Sequence, residues 1–228
     1  MLYGQTPKWI ERLERLMPGL GIPNLALYLV GAQALGFLLA LTQPKMLGLL
    51  YLDPALVLKG ELWRLVTFMA MPLQLSPLWM LFALYFLYFI INGIEEEWGD
   101  FRTTLYVLVA VLLTIAFSLV FNWPIMSIVE LQSTLFFAAA TIAPEYQILL
   151  FLVIPVKMKW LAWVSVAFVI FALIFGSWLG RLYLLTMYAN YLLFFGPYFM
   201  GRLKAFQRRK KFQADVAAGR TTDDGPGE

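Results

Sequence analysis

Six long apolar runs dominate this chain, and few folds accept them. A helix needs about 20 largely apolar residues to cross a bilayer, and six segments approach that. They are Asn24–Leu41, Pro77–Ile94, Thr103–Phe121, Ser127–Ile142, Trp160–Phe175 and Leu182–Met200. In lipid every backbone polar group must be bonded internally, so these segments should be helices. Hydrophobic residues make up 61% of the 228-residue chain, against roughly half in a soluble domain. The expected fold class is all-α and integral to the membrane. The fourth segment is short and carries Glu130, Gln132 and Ser133.

Six crossings put both termini on one side. That side holds thirteen basic residues: Lys8, Arg12, Arg15, Arg102, Lys157, Lys159, Arg202, Lys204, Arg208, Arg209, Lys210, Lys211 and Arg220. The other side holds Lys45, Lys59, Arg64 and Arg181. Cytoplasmic loops carry the excess of Lys and Arg, so both termini are expected in the cytoplasm. The chain is read as a bacterial inner-membrane protein, with the endoplasmic reticulum membrane as the alternative.

Three regions follow. Residues 1–20 are expected to form an amphipathic interfacial segment. Ile10, Leu13, Leu16 and Met17 share one face, and Lys8, Glu11, Arg12, Glu14 and Arg15 take the other. A helix with its apolar face on the bundle fits the same pattern. Residues 21–201 form the membrane domain. Residues 202–228 form a tail that is first basic, then, from Gln213, expected to be disordered. The Arg202–Lys211 cluster is either an ordinary stop-transfer flank or an anionic-lipid contact worth about 1 kcal/mol per charge.

About thirty-five residues join the first two segments, far more than the two to eight usual in a bundle. This loop is nevertheless apolar over Met46–Leu52, Ala55–Leu58 and Leu62–Met71. Short helices dipped into the bilayer would satisfy its backbone. Trp63 is expected at the interface. Arg64 beside it would be costly in hydrocarbon unless paired. Its five donors can tie several carbonyls together, or it can anchor the loop alone at the interface.

The chain has no histidine and no cysteine. That removes the commonest general base and the ligands that zinc and copper favour. No metal, cofactor or nucleic-acid partner is expected.

Four motifs, in order, resemble the rhomboid superfamily. Glu61-Leu-Trp-Arg-Leu-Val-Thr67 is similar to the tryptophan–arginine motif in the first loop of rhomboids and Derlins. Ile94-Glu-Glu-Glu-Trp-Gly-Asp-Phe-Arg102 resembles the end of the family's second helix, with Glu95, Trp98, Gly99 and Arg102 at matching positions. Pro144 and Ile154–Trp160 resemble the connection between the fourth and fifth helices. The resemblance spans roughly residues 20–200 and implies a six-helix rhomboid-like bundle with a membrane-associated first loop.

The family's proteases carry a serine at the start of helix four and a histidine in helix six. The matching positions here hold Val129 and Asn190, and the flanking glycines are missing. A hydroxyl attacks an amide only when a base takes its proton, and asparagine takes none near neutral pH. The resemblance therefore implies a pseudoprotease, not an enzyme. Inactive members bind transmembrane or misfolded clients in membrane quality control or traffic and thin the surrounding lipid. Glu130, Gln132 and Ser133 would line a cavity for a client at the dead site, with Asn190 opposite Val129. Two other classes stay open: an intramembrane serine protease with an atypical site, and a small transporter or channel subunit.

Overall fold

The computed structural model describes residues 7–150 and 154–217. Nine helices and one hairpin follow in chain order among them. Helix α1 (Lys8–Leu16) is amphipathic and docks on the bundle. Ile10 is buried in the core, and Trp9 meets Phe194 edge-on at 5.3 Å. Leu16 and Met17 stay exposed. The apolar stripe is thus divided between protein and surroundings.

Helix α2 (Leu25–Thr42) starts after Asn24, whose left-handed backbone (φ 57°) turns the chain into the helix. The first loop then folds as short pieces, as its apolar composition requires. They are a 3-10 segment Pro44–Leu49, α3 (Pro54–Val57), α4 (Arg64–Thr67) and a 3-10 turn Phe68–Ala70. Asp53 caps α3 by accepting from the N–H groups of Ala55 and Leu56.

Helix α5 (Pro77–Trp98) opens with proline at its first position, where no N–H is needed. Helix α6 (Asp100–Phe121) ends at Asn122, again left-handed. Helix α7 (Val129–Ile142) has 14 residues, about 21 Å at 1.5 Å per residue. The chain then forms a hairpin, β1 (Gln147–Leu150) against β2 (Ile154–Lys157), with Gln147 opposite Lys157 and Leu149 opposite Pro155. Helix α8 (Met158–Phe175) follows, and α9 runs unbroken from Trp178 to Ala217.

Among the described residues, four helical stretches are long and apolar enough to cross a membrane: Pro18–Thr42, Pro77–Trp98, Asp100–Phe121 and Met158–Phe175. Four of the six expected crossings meet that criterion of length and composition among the described residues. α7 is too short for a hydrocarbon core of about 30 Å. The apolar part of α9 is diluted by Thr186, Asn190 and several tyrosines. The protein is an all-α, membrane-type fold with one small hairpin.

Packing explains why a short α7 is tolerated. Leu131 and every residue from Thr134 to Ala140 are buried. α5, α8 and α9 pack around it, with α6 touching more lightly. The mismatch expected of a short fourth helix is taken up by protein, because little of α7 faces outward. α8 is the opposite case: Met158 is its one buried residue among those described.

The tail departs from expectation. Gln213–Ala217 continue α9 instead of losing structure. Lys, Arg, Gln and Ala are strong helix formers, and no breaker follows Gly201 in this stretch. Residues beyond 217 lie outside the described ones.

Candidate functional site at the α7–α9 seam

Three clusters of predicted residues occupy different parts of the molecule. The first holds the loop. Arg64 is 2% exposed. Its Nη1 donates to the carbonyls of Gly48 and Tyr51, both at 2.9 Å, and its Nε donates to Glu61 at 2.7 Å. The guanidinium also lies over the Tyr51 ring, 5.1 Å from its centroid. Trp63 next to it is half exposed.

Two residues that sequence reasoning passed over complete this anchor. Gln33, fully buried in α2, donates from Nε2 to the Met69 carbonyl at 2.5 Å. Its Oε1 accepts from the Leu73 N–H at 3.1 Å. Gly36, one turn on, lies directly under the loop backbone. A Cβ there would overlap the Ala70 carbonyl. The lone glutamine in an apolar helix was a legible signal. The glycine was not, because Gly31 in the same helix has open space around it.

The second cluster lies at the α5–α6 turn. The Glu95 carboxylate accepts from the Leu25 N–H at 2.6 Å, capping α2 from another helix. Trp98 stacks on Phe195 with ring centroids 4.8 Å apart. Gly99 has φ 84°, a left-handed value natural to glycine, and so lets α5 turn into α6. Arg102 pairs with Glu14 of α1 at 3.1 Å. Glu95, Trp98, Gly99 and Arg102 thus join α1, α2, α6 and α9 at one end of the bundle.

The third cluster is the seam between α7 and α9. Ser133 Oγ and the Tyr188 hydroxyl lie 3.1 Å apart, and Thr141 Oγ1 and the Tyr191 hydroxyl 2.5 Å apart. Phe137 sits between, in contact with both tyrosine rings. Asn190 is 1% exposed and turns the other way, donating from Nδ2 to the Tyr106 carbonyl in α6 at 3.3 Å. Its Oδ1 has no hydrogen-bond partner among the described residues. Val129 is half exposed at the start of α7, its N–H bonded to Ser127 Oγ at 3.2 Å. Asn190 is thus buried with its hydrogen bond directed to α6, while Val129 is the half-exposed first residue of α7. Tyrosines occupy the seam where small residues would let the helices close.

Of Glu130, Gln132 and Ser133, the first and last share the Tyr188 hydroxyl as a neighbour, whereas Gln132 faces another side of α7. Glu130 lies within electrostatic reach of the hydroxyls of Tyr183 and Tyr188. Gln132 lines a space of about 10 Å³ with Gln33, Met69 and Leu87. That is room for about one water.

Beyond the seam, α5 and β1 border an open groove of about 290 Å³, lined by Trp79, Ala83, Phe86, Ile148 and Leu149 among others. The hairpin is tied at its base. Glu145 takes Lys157 at 2.9 Å and Lys159 at 2.6 Å. These hydrogen bonds, Lys157 first, hold its carboxyl down from the ordinary 4.5 to about 2.

No protein-family model, characterised protein or solved structure matches this chain.

Proposed function

We propose that the chain is a catalytically inactive, rhomboid-like membrane protein that receives transmembrane or misfolded client segments. In this reading α2, α5, α6, α7, α8 and the apolar part of α9 are six crossings, with both termini cytoplasmic. The arrangement serves membrane protein quality control or traffic. Arg202–Lys211, on the exposed extension of α9, meets anionic headgroups.

The observation that carries the reading is the side opening of the bundle. α8 packs chiefly on α7, and α5 and β1 border an open groove. The groove there is wide and apolar. Inactivity is supported by the seam. No histidine exists to take a proton from Ser127 or Ser133, and Ser133 is engaged with Tyr188 and the Glu130 carbonyl.

A photocrosslinking residue at Ala83 tests client binding. The protein is reconstituted with a single-span helix carrying one polar residue, and the same probe at Leu112, exposed on α6, serves as reference. Adducts should form at position 83 and be few at 112. Equal yields at both positions would defeat the reading. A fluorophosphonate probe should leave the protein unlabelled. Labelling that disappears in Ser127→Ala or Ser133→Ala would establish an active serine.

A further inference from the structure

The two outer edges of the hairpin are built differently. At its base the Met158 N–H donates to the Tyr146 carbonyl at 2.8 Å. Bonded and non-bonded pairs alternate along an antiparallel ladder. Ile148 and Val156 are therefore a bonded pair, whereas Gln147–Lys157 and Leu149–Pro155 are not. The backbone groups of Gln147 and Leu149 point away from β2, and those of Lys157 and Pro155 point away from β1. Pro155 has no N–H, so the outer edge of β2 is blunted. The outer edge of β1 has no such guard. Gln147 and Leu149 are exposed, and their backbone groups make no hydrogen bond among the described residues.

That open edge borders the apolar groove. Ile148 and Leu149 of β1 line it together with Ala83 and Phe86 of α5, and no described residue of β2 does. The Tyr146 ring meets Phe89 of α5 at 5.1 Å, and Ile148 is buried. Alternate residues of a strand share a face, so the face carrying Tyr146 and Ile148 turns to α5. α5 is long and apolar enough to cross a membrane. Beside such a helix no water is present to bond an open sheet edge, and an uncovered edge is not tolerated in hydrocarbon. A helix has already spent its backbone groups on itself and cannot cover it. An extended segment presents an N–H and a C=O at every second residue, the spacing of Gln147 and Leu149. A second copy of β1 fits poorly. It would carry its own α5 on its Ile148 face, into the space that Ala83 and Phe86 already occupy.

We infer that the groove binds an apolar client segment in extended form, as a third strand added to the outer edge of β1. The inference rests on the client reading of the groove and names the conformation the groove recognises. Alternate amides of the segment bond Gln147 and Leu149, and alternate side chains meet Ala83 and Phe86. Segments rich in β-branched residues, which pack well on a pleated surface, are the preferred class. A stable helix is not, unless it unwinds there.

The test uses the full chain in nanodiscs, with a photocrosslinking residue at Ala83 and a short peptide that alternates valine and threonine. The alternation fixes which face meets α5. Two further peptides are N-methylated, one at every valine and the other at every threonine. A strand bonds β1 through one set of amides alone. One methylated peptide should therefore lose adduct yield by about tenfold, the order of the hydrogen bonds removed, and the other should stay within about twofold of the parent peptide. Leu149→Pro should lower the yield of the unmethylated peptide by a similar factor, because it removes an edge donor. The hairpin should survive, since the Leu149 N–H takes no part in the ladder with β2, and slow exchange at the Ile148 and Val156 amides checks this. The methylated peptides decide the matter without any change to the hairpin. Equal loss from both of them, or undiminished adducts in Leu149→Pro with the hairpin intact, overturns the added strand and leaves the client reading standing. No adduct with any peptide, nor with a single-span helix, overturns both. A disulfide between two copies of Leu149→Cys that excess peptide does not suppress would give the edge to a second copy and overturn the inference.

Discussion

Two long connections shape this molecule, and they are held in opposite ways. The first, between α2 and α5, is fixed by buried polar contacts. Arg64 gathers Gly48, Tyr51 and Glu61. Gln33 bonds both Met69 and Leu73, and Leu52 exchanges two backbone hydrogen bonds with Ile125 at 3.1 and 2.9 Å. The second, between α7 and α8, is a two-stranded hairpin, a unit that is marginal alone. Its charged clasp is on the surface, and α8 beyond it buries almost nothing. One connection is held by buried polar contacts, the other by a surface clasp and the buried Ile148.

Arg64→Ala should break the first connection with the largest effect. It strands two carbonyls and leaves Glu61 without its partner, costing about 3–5 kcal/mol. Arg64→Lys should lose less, because the charge remains while the planar fork is lost. Thermal unfolding in detergent reads both. Equal melting of the two variants and the parent would mean the loop is held by its apolar contacts alone.

Gly36→Ala comes next, at about 3 kcal/mol, the upper part of the usual range for overpacking. The added methyl would meet backbone, which cannot swing aside. Gly31→Ala sharpens the result. It sits in the same helix with nothing within 4 Å, so alanine should gain about 0.5–1 kcal/mol from helix propensity. The two substitutions should move the melting temperature in opposite directions. Gln33→Leu should cost about 1–3 kcal/mol, the penalty for leaving the Met69 carbonyl and Leu73 N–H unpaired. If the same loss followed truncation of hairpin side chains, the contrast between the connections would fail.

The sequence showed the helices better than their contacts. α2, α5 and α6 begin and end near the expected residues, because long apolar runs between polar ends leave little choice. The hairpin was not legible. Its strands have four residues each, and Pro155 argues against a strand. Arg64 in an apolar stretch called for partners, but which carbonyls it meets depends on how the loop folds back. Val129 and Asn190 show the same limit on a larger scale. A motif match aligns positions along the chain, whereas the side that a helical residue faces follows from packing. The tyrosines at 188 and 191 take the seam, so Asn190 is left facing α6.

The smallest expected effect lies in the clasp of the second connection. Glu145 is fully exposed, so its ion pairs with Lys157 and Lys159 are screened by water and contribute little to global stability. Their influence should be local and dependent on pH. A carboxylate whose folded pKa is held near 2, below its ordinary 4.5, binds protons less readily in the folded chain than in the unfolded one. Its contribution is therefore fully present above pH 4.5 and is lost as pH falls through 2. Hydrogen exchange at the Ile148 and Val156 amides should accelerate over that window, after correction for the intrinsic rate. Amides of α2 should not follow. Glu145→Gln should show the faster hairpin exchange already at neutral pH and little further change on acidification. A hairpin that exchanges identically in parent and variant would mean that Ile148, buried against α5, holds it alone. The second connection would then be as firmly built as the first.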